Sequence, residues 1–154
     1  MAEIKSATGK AEAGSTATAG GAVGSMRIVV VTPEATLVDD TADFVALPLF
    51  DGEIGIAPSH SPMIGRLGFG ELRIIRNEVE RRLYVDGGFV QVADDVISVL
   101  TNKAIEVKDL DASAAATQLE AAIKLPANTD ELLAIRDRTI AQARAQLHVA
   151  RKAK

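Results

Sequence analysis

The stretch GEIGIAPSHSPMI holds side chains that could carry out acid–base or nucleophilic chemistry. His60 lies between Ser59 and Ser61, and Asp51 and Glu53 come a few positions before it. A general base needs a carboxylate that orients it and a nucleophile or bound substrate within hydrogen-bond reach. Neighbouring residues of an extended chain turn their side chains apart, so this adjacency does not build a Ser-His-Asp arrangement. A hydrolase that uses His60 is one alternative, and activity of the isolated chain that is lost on His60→Ala would support it.

No other motif in the chain supplies catalytic or metal-binding chemistry. The sequence has no nucleophile elbow, Walker loop or dinucleotide fingerprint, and GRLGFG lacks the spacing of a phosphate loop. It has no cysteine, which excludes thiolate nucleophiles and zinc–thiolate sites. The second histidine, His148, belongs to a different predicted element from His60. We therefore predict no catalytic residue, no metal site and no cofactor.

The same stretch is better explained as a shaped loop than as a catalytic site. Pro58 and Pro62 restrict the backbone on either side of His60. Gly52 and Gly55, just before them, permit tight or positive-φ backbone. A rigid, partly apolar loop at one end of a domain suits recognition of another protein. We interpret Pro58, His60 and Pro62 as an interface loop in which the histidine anchors the backbone by a hydrogen bond.

Composition excludes two classes of partner. Aromatic residues make up 3% of the 154 residues and the formal net charge is −4, so neither base stacking nor attraction to phosphate backbones is available. Nucleic acid is not expected as a partner. No apolar run approaches the roughly 20 residues that cross a bilayer. Any membrane association is therefore expected to come through a partner protein.

Residues 1–25 differ in composition from the rest of the chain. Gly, Ala, Ser and Thr dominate this segment, which has almost no side chain large enough to bury. The absence of arginine and the presence of Glu3 and Glu12 argue against a transit peptide, and a signal peptide would need a continuous apolar stretch. We predict a disordered tail.

Residues 26–107 have the pattern of short β-strands separated by turn formers. The predicted strands are MRIVVVT, ATLV, DFVALPLF, ELRIIRN, RRLYV, FVQVA and VISVLT. Their predicted separators include Asp39-Asp40, Asn77-Glu78, Asp86-Gly87-Gly88 and Asp94-Asp95. In the stretch FVQVA, Val90 and Val92 should face opposite to Phe89 and Gln91. Many short strands at this spacing predict an antiparallel β-sandwich or flattened barrel.

Residues 108–154 change to helical periodicity. Asp109 is placed to cap a first helix, and Asn128 with Glu131 resembles a capping box that opens a second one after a break at Pro126. In the second helix the predicted seam consists of Leu133, Ile140, Ala143, Leu147 and Ala150. The first helix offers Ala112, Ala115, Ala116, Leu119 and Ile123 in return. Two helices joined by a short loop should pack as an antiparallel hairpin.

The second helix is also basic. Residues 129–154 contain six Arg or Lys against three Asp or Glu, whereas the whole chain is acidic. One interpretation is a solvated face with cations favourably placed near the helix C-terminus. The other is a helix that docks on an acidic partner, with Arg136, Arg138 and Arg144 as the candidate contacts.

These segments together resemble the epsilon subunit of rotary, proton-translocating F-type ATP synthases of bacterial type. The string Gly-Glu-Ile-Gly-Ile-x-Pro-x-His-x-Pro is long and specific, and it is followed by LYVDGGFVQVADDVISVLTNKAI and an Ala-rich helical hairpin. Gly87-Gly88 and Leu110-Asp111 fall where that family has them. The resemblance covers residues 26–154 and leaves only the tail outside.

The resemblance implies a non-catalytic central-stalk subunit that couples proton-driven rotation of the c-subunit ring to ATP synthesis. It implies gamma, the c ring and the alpha/beta catalytic head as partners, at the cytoplasmic face of the bacterial inner membrane. It also implies that Asp51, Gly52 and Glu53 contact the ring, and that the hairpin restrains ATP hydrolysis. A free-standing β-sandwich interaction scaffold is the alternative.

One motif departs from the family pattern. Many bacterial members carry Leu-Asp-x-x-Arg-Ala at the start of the first helix, a motif similar to an ATP-sensing site. Here Ala114 replaces the arginine, so only Asp111 matches the polar part of the motif. Without the guanidinium group, recognition of phosphate or adenine loses its main donor. We therefore do not expect this motif to bind ATP.

Overall fold

The computed structural model describes residues 24–153, which form a β domain followed by two α-helices. The strands are β1 (Met26–Val31), β2 (Thr36–Ala42), β3 (Phe44–Leu49), β4 (Gly52–Ile56), β5 (Met63–Arg76), β6 (Val79–Ala93), β7 (Val96–Leu100) and β8 (Ala104–Glu106). A 3₁₀ turn (Val107–Asp109) leads into α1 (Ala112–Ile123) and α2 (Asp130–Lys152). Residues 1–23 of the predicted disordered tail lie outside the described part of the chain.

The strands form one sheet in the order β2-β1-β7-β6-β5-β3-β4, with β8 paired to β6. Residues of seven strands share a single hydrophobic core, so the sheet folds over on itself as a sandwich. Its largest fully buried side chains include Met26, Ile28, Leu47, Ile56, Leu72, Leu83, Val90 and Ile97. The predicted fold class, a β-sandwich followed by a helical hairpin, is confirmed.

Two details of the sheet differ from the prediction. β1 and β7 pair in parallel, with Ile28 opposite Ile97, whereas every other pairing in the sheet is antiparallel. These two strands are far apart in sequence, so a tight turn does not dictate their relative direction. The strand order also has two ends, β2 and β4, so the sheet does not close into a barrel.

Some predicted turns are turns and others lie inside strands. Asn77-Glu78 and Asp94-Asp95 have positive φ and form two-residue hairpin turns, as expected. Asp39-Asp40 instead lies within β2, because Asp39 binds Arg27 across the strands through two hydrogen bonds of 2.9 Å. Asp40 points to the opposite side of the strand and pairs with Arg76, so each of these adjacent acids of the edge strand has an arginine partner.

The predicted break at Asp86-Gly87-Gly88 does not end a strand either. β6 runs through it, with φ of +69° at Gly87 and +107° at Gly88. A Cβ added at Gly88 would lie 1.9 Å from the carbonyl oxygen of Leu100. The glycines therefore let β6 twist closely past the end of β7 without stopping. The alternation predicted after them is confirmed, because Val90 and Val92 are buried while Phe89 and Gln91 are exposed.

The helices begin one or two residues later than predicted. Asp111 caps α1 by accepting a 2.9 Å hydrogen bond from the backbone N–H of Ser113, while Asp109 belongs to the preceding 3₁₀ turn. Thr129 caps α2 by accepting from the N–H of Leu132 at 3.2 Å, so Asn128 is not the cap. In both places several residues can cap, and the local backbone selects one of them.

The two helices pack against each other as the predicted hairpin, through a seam made mainly of small residues. Ala115, Ala122, Ala143, Leu147 and Ala150 are its buried members. The prediction that Ile123 lies in the seam is wrong, because it is 53% exposed and Ala122 is buried instead. Leu133, at the start of α2, is 38% exposed. The two helices are therefore packed less closely near the loop that joins them.

Candidate functional site

The loop around His60 connects β4 to β5 and is held by its neighbours. The Oδ1 atom of Asp95 accepts a 2.6 Å hydrogen bond from the N–H of Ser59, which has a φ of +66°. His60 Nδ1 donates to the carbonyl oxygen of Ser61 at 2.7 Å. Among the described residues, no carboxylate hydrogen-bonds the imidazole ring. The loop therefore has the geometry of a backbone anchor, and its role as an interface with Pro58 and Pro62 stays a prediction.

The predicted ring contacts lie at the β3–β4 hairpin, on an edge of the sheet. Phe50 and Asp51 form its turn, and Gly52 and Glu53 begin β4. Asp51 and Glu53 are exposed, and Glu53 accepts a 3.0 Å hydrogen bond from Arg73. Sequence reasoning missed Phe50, which is 72% exposed at the tip. A large aromatic directly before an Asp-Gly turn was the signal that could have found it.

The outer face of the β5–β6 ladder is divided in two at Gly87-Gly88. On one side of this division lie Phe69, Glu71, Tyr84 and Asp86, the half that α2 covers. On the other side, exposed apolar side chains come from three neighbouring strands, with Phe89 directly opposite Leu100 and Ile64 diagonal to Phe89. They are Ile64, Phe89 and Leu100, with exposures of 77%, 58% and 53%. We call this second half the open face.

The hairpin is held on the covered half by a small apolar cluster. Tyr84, Val107 and Val149 are its buried members, with Leu110 and Ala145 packed against them. The Tyr84 hydroxyl is buried and has no hydrogen-bond partner among the described residues. Burial raises the pKa of Tyr84 well above its ordinary value, and the charge of Asp86 raises it further. The phenol therefore stays neutral beneath the helix.

One side-chain pair supplies the hydrogen bonds of this docking. Gln142 Nε2 donates to the Asp86 carboxylate at 2.9 Å and 3.2 Å. Across the described part of the chain, these are the only side-chain hydrogen bonds between the hairpin and the β domain. The Asp86 backbone is in turn held by Thr101, Asn102 and Lys103. The Asp86 carboxylate on the sheet is therefore held in place as the acceptor for the Gln142 side chain of α2.

A charge cluster lies near the C-terminal end of α2. Arg82 donates to both oxygens of Glu71, at 2.9 Å and 2.7 Å. Burial by itself would raise the pKa of Glu71, but the hydrogen bond and charge of Arg82 hold it below its usual range. The charges of Lys152 on α2 and of Arg73 lower that pKa further. The helix end therefore contributes a favourable electrostatic contact with the sheet.

The three candidate arginines of α2 do not form one stripe. Arg136 and Arg138 are separated by about 200° around the helix, since successive residues turn by about 100°. Arg136 is half-buried, with a 3.9 Å contact to Asp137, while Arg144 is exposed. Arg138 lines a cleft between α2 and the β domain. A single acidic partner surface could not contact all three while α2 is docked.

Neither a nucleotide nor a metal is suggested at the other candidate positions. The carboxylate of Asp111 caps α1, and Ala114 is exposed one position after Ser113. Within residues 24–153, no group of three or more His, Cys, Asp or Glu side chains could hold a metal ion. No helix of that same range is long and apolar enough to cross a membrane.

A β-sandwich with a docked helical hairpin and an uncovered apolar face is typical of a protein that packs against partner proteins. The family model described as ATP synthase, Delta/Epsilon chain, beta-sandwich domain matches residues 25–107. The chain therefore belongs to the ATP synthase epsilon chain family, which confirms the resemblance. The free-standing scaffold and the His60 hydrolase are both excluded by this membership.

Relatives extend the similarity into the hairpin. The ATP synthase epsilon chain of Rhodopirellula baltica is 50% identical over 127 residues, covering 82% of this chain and 99% of the relative. That of Symbiobacterium thermophilum is 37% identical over 119 residues, covering 77% and 84%.

Two solved structures share the fold. One is a chain of the Euglena gracilis mitochondrial ATP synthase (OSCP/F1/c-ring), with a TM-score of 0.69 and 17% identity, covering 83% of this chain and 79% of that one. The other is a chain of the Tetrahymena thermophila mitochondrial ATP synthase central stalk and c-ring, with a TM-score of 0.66 and 15% identity. It is matched over 81% of this chain and 96% of its own length.

Proposed function

We propose that the chain is a central-stalk subunit that couples proton-driven rotation of the c-subunit ring to ATP synthesis. Its proposed partners are gamma, the c ring and the alpha/beta catalytic head, at the cytoplasmic face of the bacterial inner membrane. The observation that carries this proposal is the open face, an uncovered apolar surface directly beside the docked hairpin. Family membership supports the assembly in which that surface would be covered.

The open face is the proposed contact with gamma. Ile64, Phe89 and Leu100 come from three adjacent strands, so their side chains form one surface of fixed shape. Contiguous exposed apolar surface of this kind marks protein interaction sites. Large aromatic side chains such as Phe89 typically contribute a large share of the binding energy at such sites.

The ring contact is proposed for Asp51, Gly52 and Glu53. These residues and the loop of Pro58, His60 and Pro62 lie at opposite ends of β4. A five-residue strand separates them by about 17 Å, at roughly 3.3 Å per residue. The hairpin tip and the loop would therefore contact different parts of the assembly, the tip the polar loops of the ring and the loop a neighbouring subunit.

The hairpin is the proposed restraint on ATP hydrolysis. It is docked through three buried side chains and one side-chain hydrogen-bonding pair, so little binding energy opposes its release. Once released, Arg136, Arg138 and Arg144 would be free to meet acidic segments of the catalytic head.

Substitution of Phe89 tests the gamma contact. Phe89→Asp should weaken binding of the isolated subunit to gamma by about 30-fold or more, as expected for an aromatic residue central to an interface. Val79→Asp is the matched control, because Val79 is also exposed on β6 but lies at the far end of the strand. Equal binding by Phe89→Asp and the unsubstituted chain would contradict the assignment.

A further inference from the structure

The tip of the β3–β4 hairpin carries an aromatic side chain that the fold does not bury. Phe50 is 72% exposed and belongs to neither hydrophobic cluster of the described residues. Asp51 completes the turn, and Glu53 follows at the start of β4. A single exposed apolar residue is common and needs no explanation. Phe50 differs from that ordinary case because its surroundings hold it in one position.

Two contacts with β5 fix the turn and its ring. The backbone N–H of Phe50 donates a 2.9 Å hydrogen bond to the carbonyl oxygen of Arg66. The guanidinium group of the same arginine stands over the Phe50 ring, 4.9 Å from its centroid, and the attraction between them restricts the ring. β5 also passes close beneath the turn, because a Cβ added at Gly68 would lie 2.7 Å from the carbonyl oxygen of Leu49. The aromatic side chain is therefore exposed and preorganised at once.

Arg66 connects this tip to the open face. It is the direct cross-strand partner of Phe89, which lies opposite Leu100. Within the described residues, Arg66 is the one arginine of the β domain without a carboxylate partner within 4 Å. No acidic side chain therefore draws its guanidinium group away from Phe50. The tip and the open face form a continuous surface through this residue.

We propose that Phe50 is the anchor of the contact with the c-subunit ring, and that Arg66 is a positioning residue that holds the anchor ready to bind. The proposal rests on the proposed function, in which Asp51, Gly52 and Glu53 meet the ring. Exposed ion pairs contribute little, so the acids of the turn supply specificity more than affinity. A rigid aromatic side chain supplies a large contact area at a low entropic cost.

The tip also specifies the chemistry of the surface that it fits. A protruding phenyl ring needs a concave, apolar site of about its own size. The carboxylates of Asp51 and Glu53 favour cationic or hydrogen-bond-donating groups at the rim of that site. We place the site between the polar loops of two neighbouring c subunits, because the boundary between two identical convex loops is concave.

Tryptophan fluorescence tests which partner covers the tip. The chain contains no tryptophan, so Phe50→Trp introduces a single reporter. The full-length variant is titrated with gamma alone, with the complex of gamma and the detergent-solubilised c ring, and with empty detergent micelles. We expect its emission to shift to shorter wavelength with the complex and with neither of the other two. Phe89→Trp, on the open face, is the matched control and should shift with gamma alone.

Three results of this titration overturn the proposal. A shift of Phe50→Trp with gamma alone would assign the tip to gamma. A shift with empty micelles would assign it to a lipid-like surface. No shift with the complex would show that the aromatic side chain stays in water when the ring is bound.

Affinity for the same gamma–c-ring complex tests the two residue roles. Phe50→Ala should weaken binding to the complex by about 30-fold or more, as expected for an anchor, and leave binding to gamma alone unchanged. Arg66→Gln keeps the aromatic ring and should weaken binding to the complex by about three- to tenfold, since it removes the cation over the ring. A positioning residue acts through the residue it positions. Arg66→Gln should therefore have no further effect on ring binding in the Phe50→Ala background, and additive losses would contradict its role.

Glu53→Lys separates failure of the anchor from failure of the ring contact. If Glu53→Lys weakens binding to the complex and Phe50→Ala does not, the hairpin tip meets the ring but Phe50 is not its anchor. If neither variant weakens binding, the ring contact assigned to this tip is wrong, and the anchor with it.

Discussion

At the scale of single residues, Glu53 has two possible partners, one inside the chain and one in the assembly. Inside the chain it accepts a hydrogen bond from Arg73, and its side chain is exposed. Exposed ion pairs of this kind contribute at most about 1 kcal/mol to stability. The ion pair with Arg73 therefore contributes little to the stability of the fold.

Charge reversal separates these two roles. Glu53→Lys should lower the free energy of unfolding of the isolated chain by less than about 1 kcal/mol, because only an exposed pair is lost. It should weaken the coupling of proton flow to ATP synthesis in membranes that carry the variant. Glu34→Lys, an exposed acid of the β1–β2 turn, is the control that should leave coupling unchanged. Normal proton pumping and ATP synthesis by membranes that carry Glu53→Lys would contradict the proposed contact of Glu53 with the c ring.

At the scale of elements, the stability of the docked hairpin depends on the contact between α2 and β6. The contact combines the small cluster around Tyr84 with the Gln142–Asp86 hydrogen bonds. At about 25 cal/mol per Å² of apolar area removed from water, a cluster of this size stabilises the docked state only modestly. Loss of one polar contact should therefore be measurable.

The Gln142→Ala variant tests this contact. It should shift the hairpin toward the undocked state by about tenfold or more, because a hydrogen bond to a charged group contributes about 1.5–3 kcal/mol. Faster amide hydrogen exchange in α2, with unchanged exchange in β5 and β6, is the expected result. Gln118→Ala is the control. Gln118 of α1 lines a cavity together with Asp86 and Gln142, but its side chain makes no hydrogen bond among the described residues. Identical exchange in the two variants would show that Gln142 does not hold the hairpin.

The elements also show what local sequence encodes. The two-residue turns at Asn77 and Asp94 and the alternation at Phe89 were predictable, because each depends on neighbours a few positions apart. The course of β6 through Gly87 was not, since those glycines permit a close crossing with Leu100 that exists only in the folded sheet. The open face and the cleft between α2 and the β domain likewise require pairing of distant strands and docking of α2. No local pattern carries that information.

At the scale of the whole molecule, the core of the β domain includes the first residue of its first strand. Met26 is the first residue of β1 and is 2% exposed, whereas residues 1–25 contain few side chains that could join a core. Deletion of residues 2–25 should therefore leave the melting temperature and the assembly nearly unchanged. Thermal unfolding of the isolated chain measures the first and co-purification with gamma the second. A melting temperature lower by many degrees would show that the tail packs on the domain.

The two cores of the molecule allow the hairpin to be removed as a unit. The main core lies inside the sandwich, and the cluster that docks α2 lies on its outer face, so neither contains the buried members of the other. Removal of residues 109–154 should therefore leave the β domain folded, with Tyr84 newly exposed. The surfaces proposed to meet gamma and the ring would be retained.

ATP hydrolysis by the assembled enzyme, with the subunit truncated after Lys108, tests whether the hairpin restrains the enzyme. We expect hydrolysis to rise severalfold while proton pumping stays coupled to it, because the restraint is lost and the rotor contacts are kept. Tyr84→Ser in the truncated chain controls for the newly exposed tyrosine and should behave identically. If hydrolysis by the truncated enzyme equals that of the full enzyme at every ATP concentration, the hairpin does not restrain the enzyme.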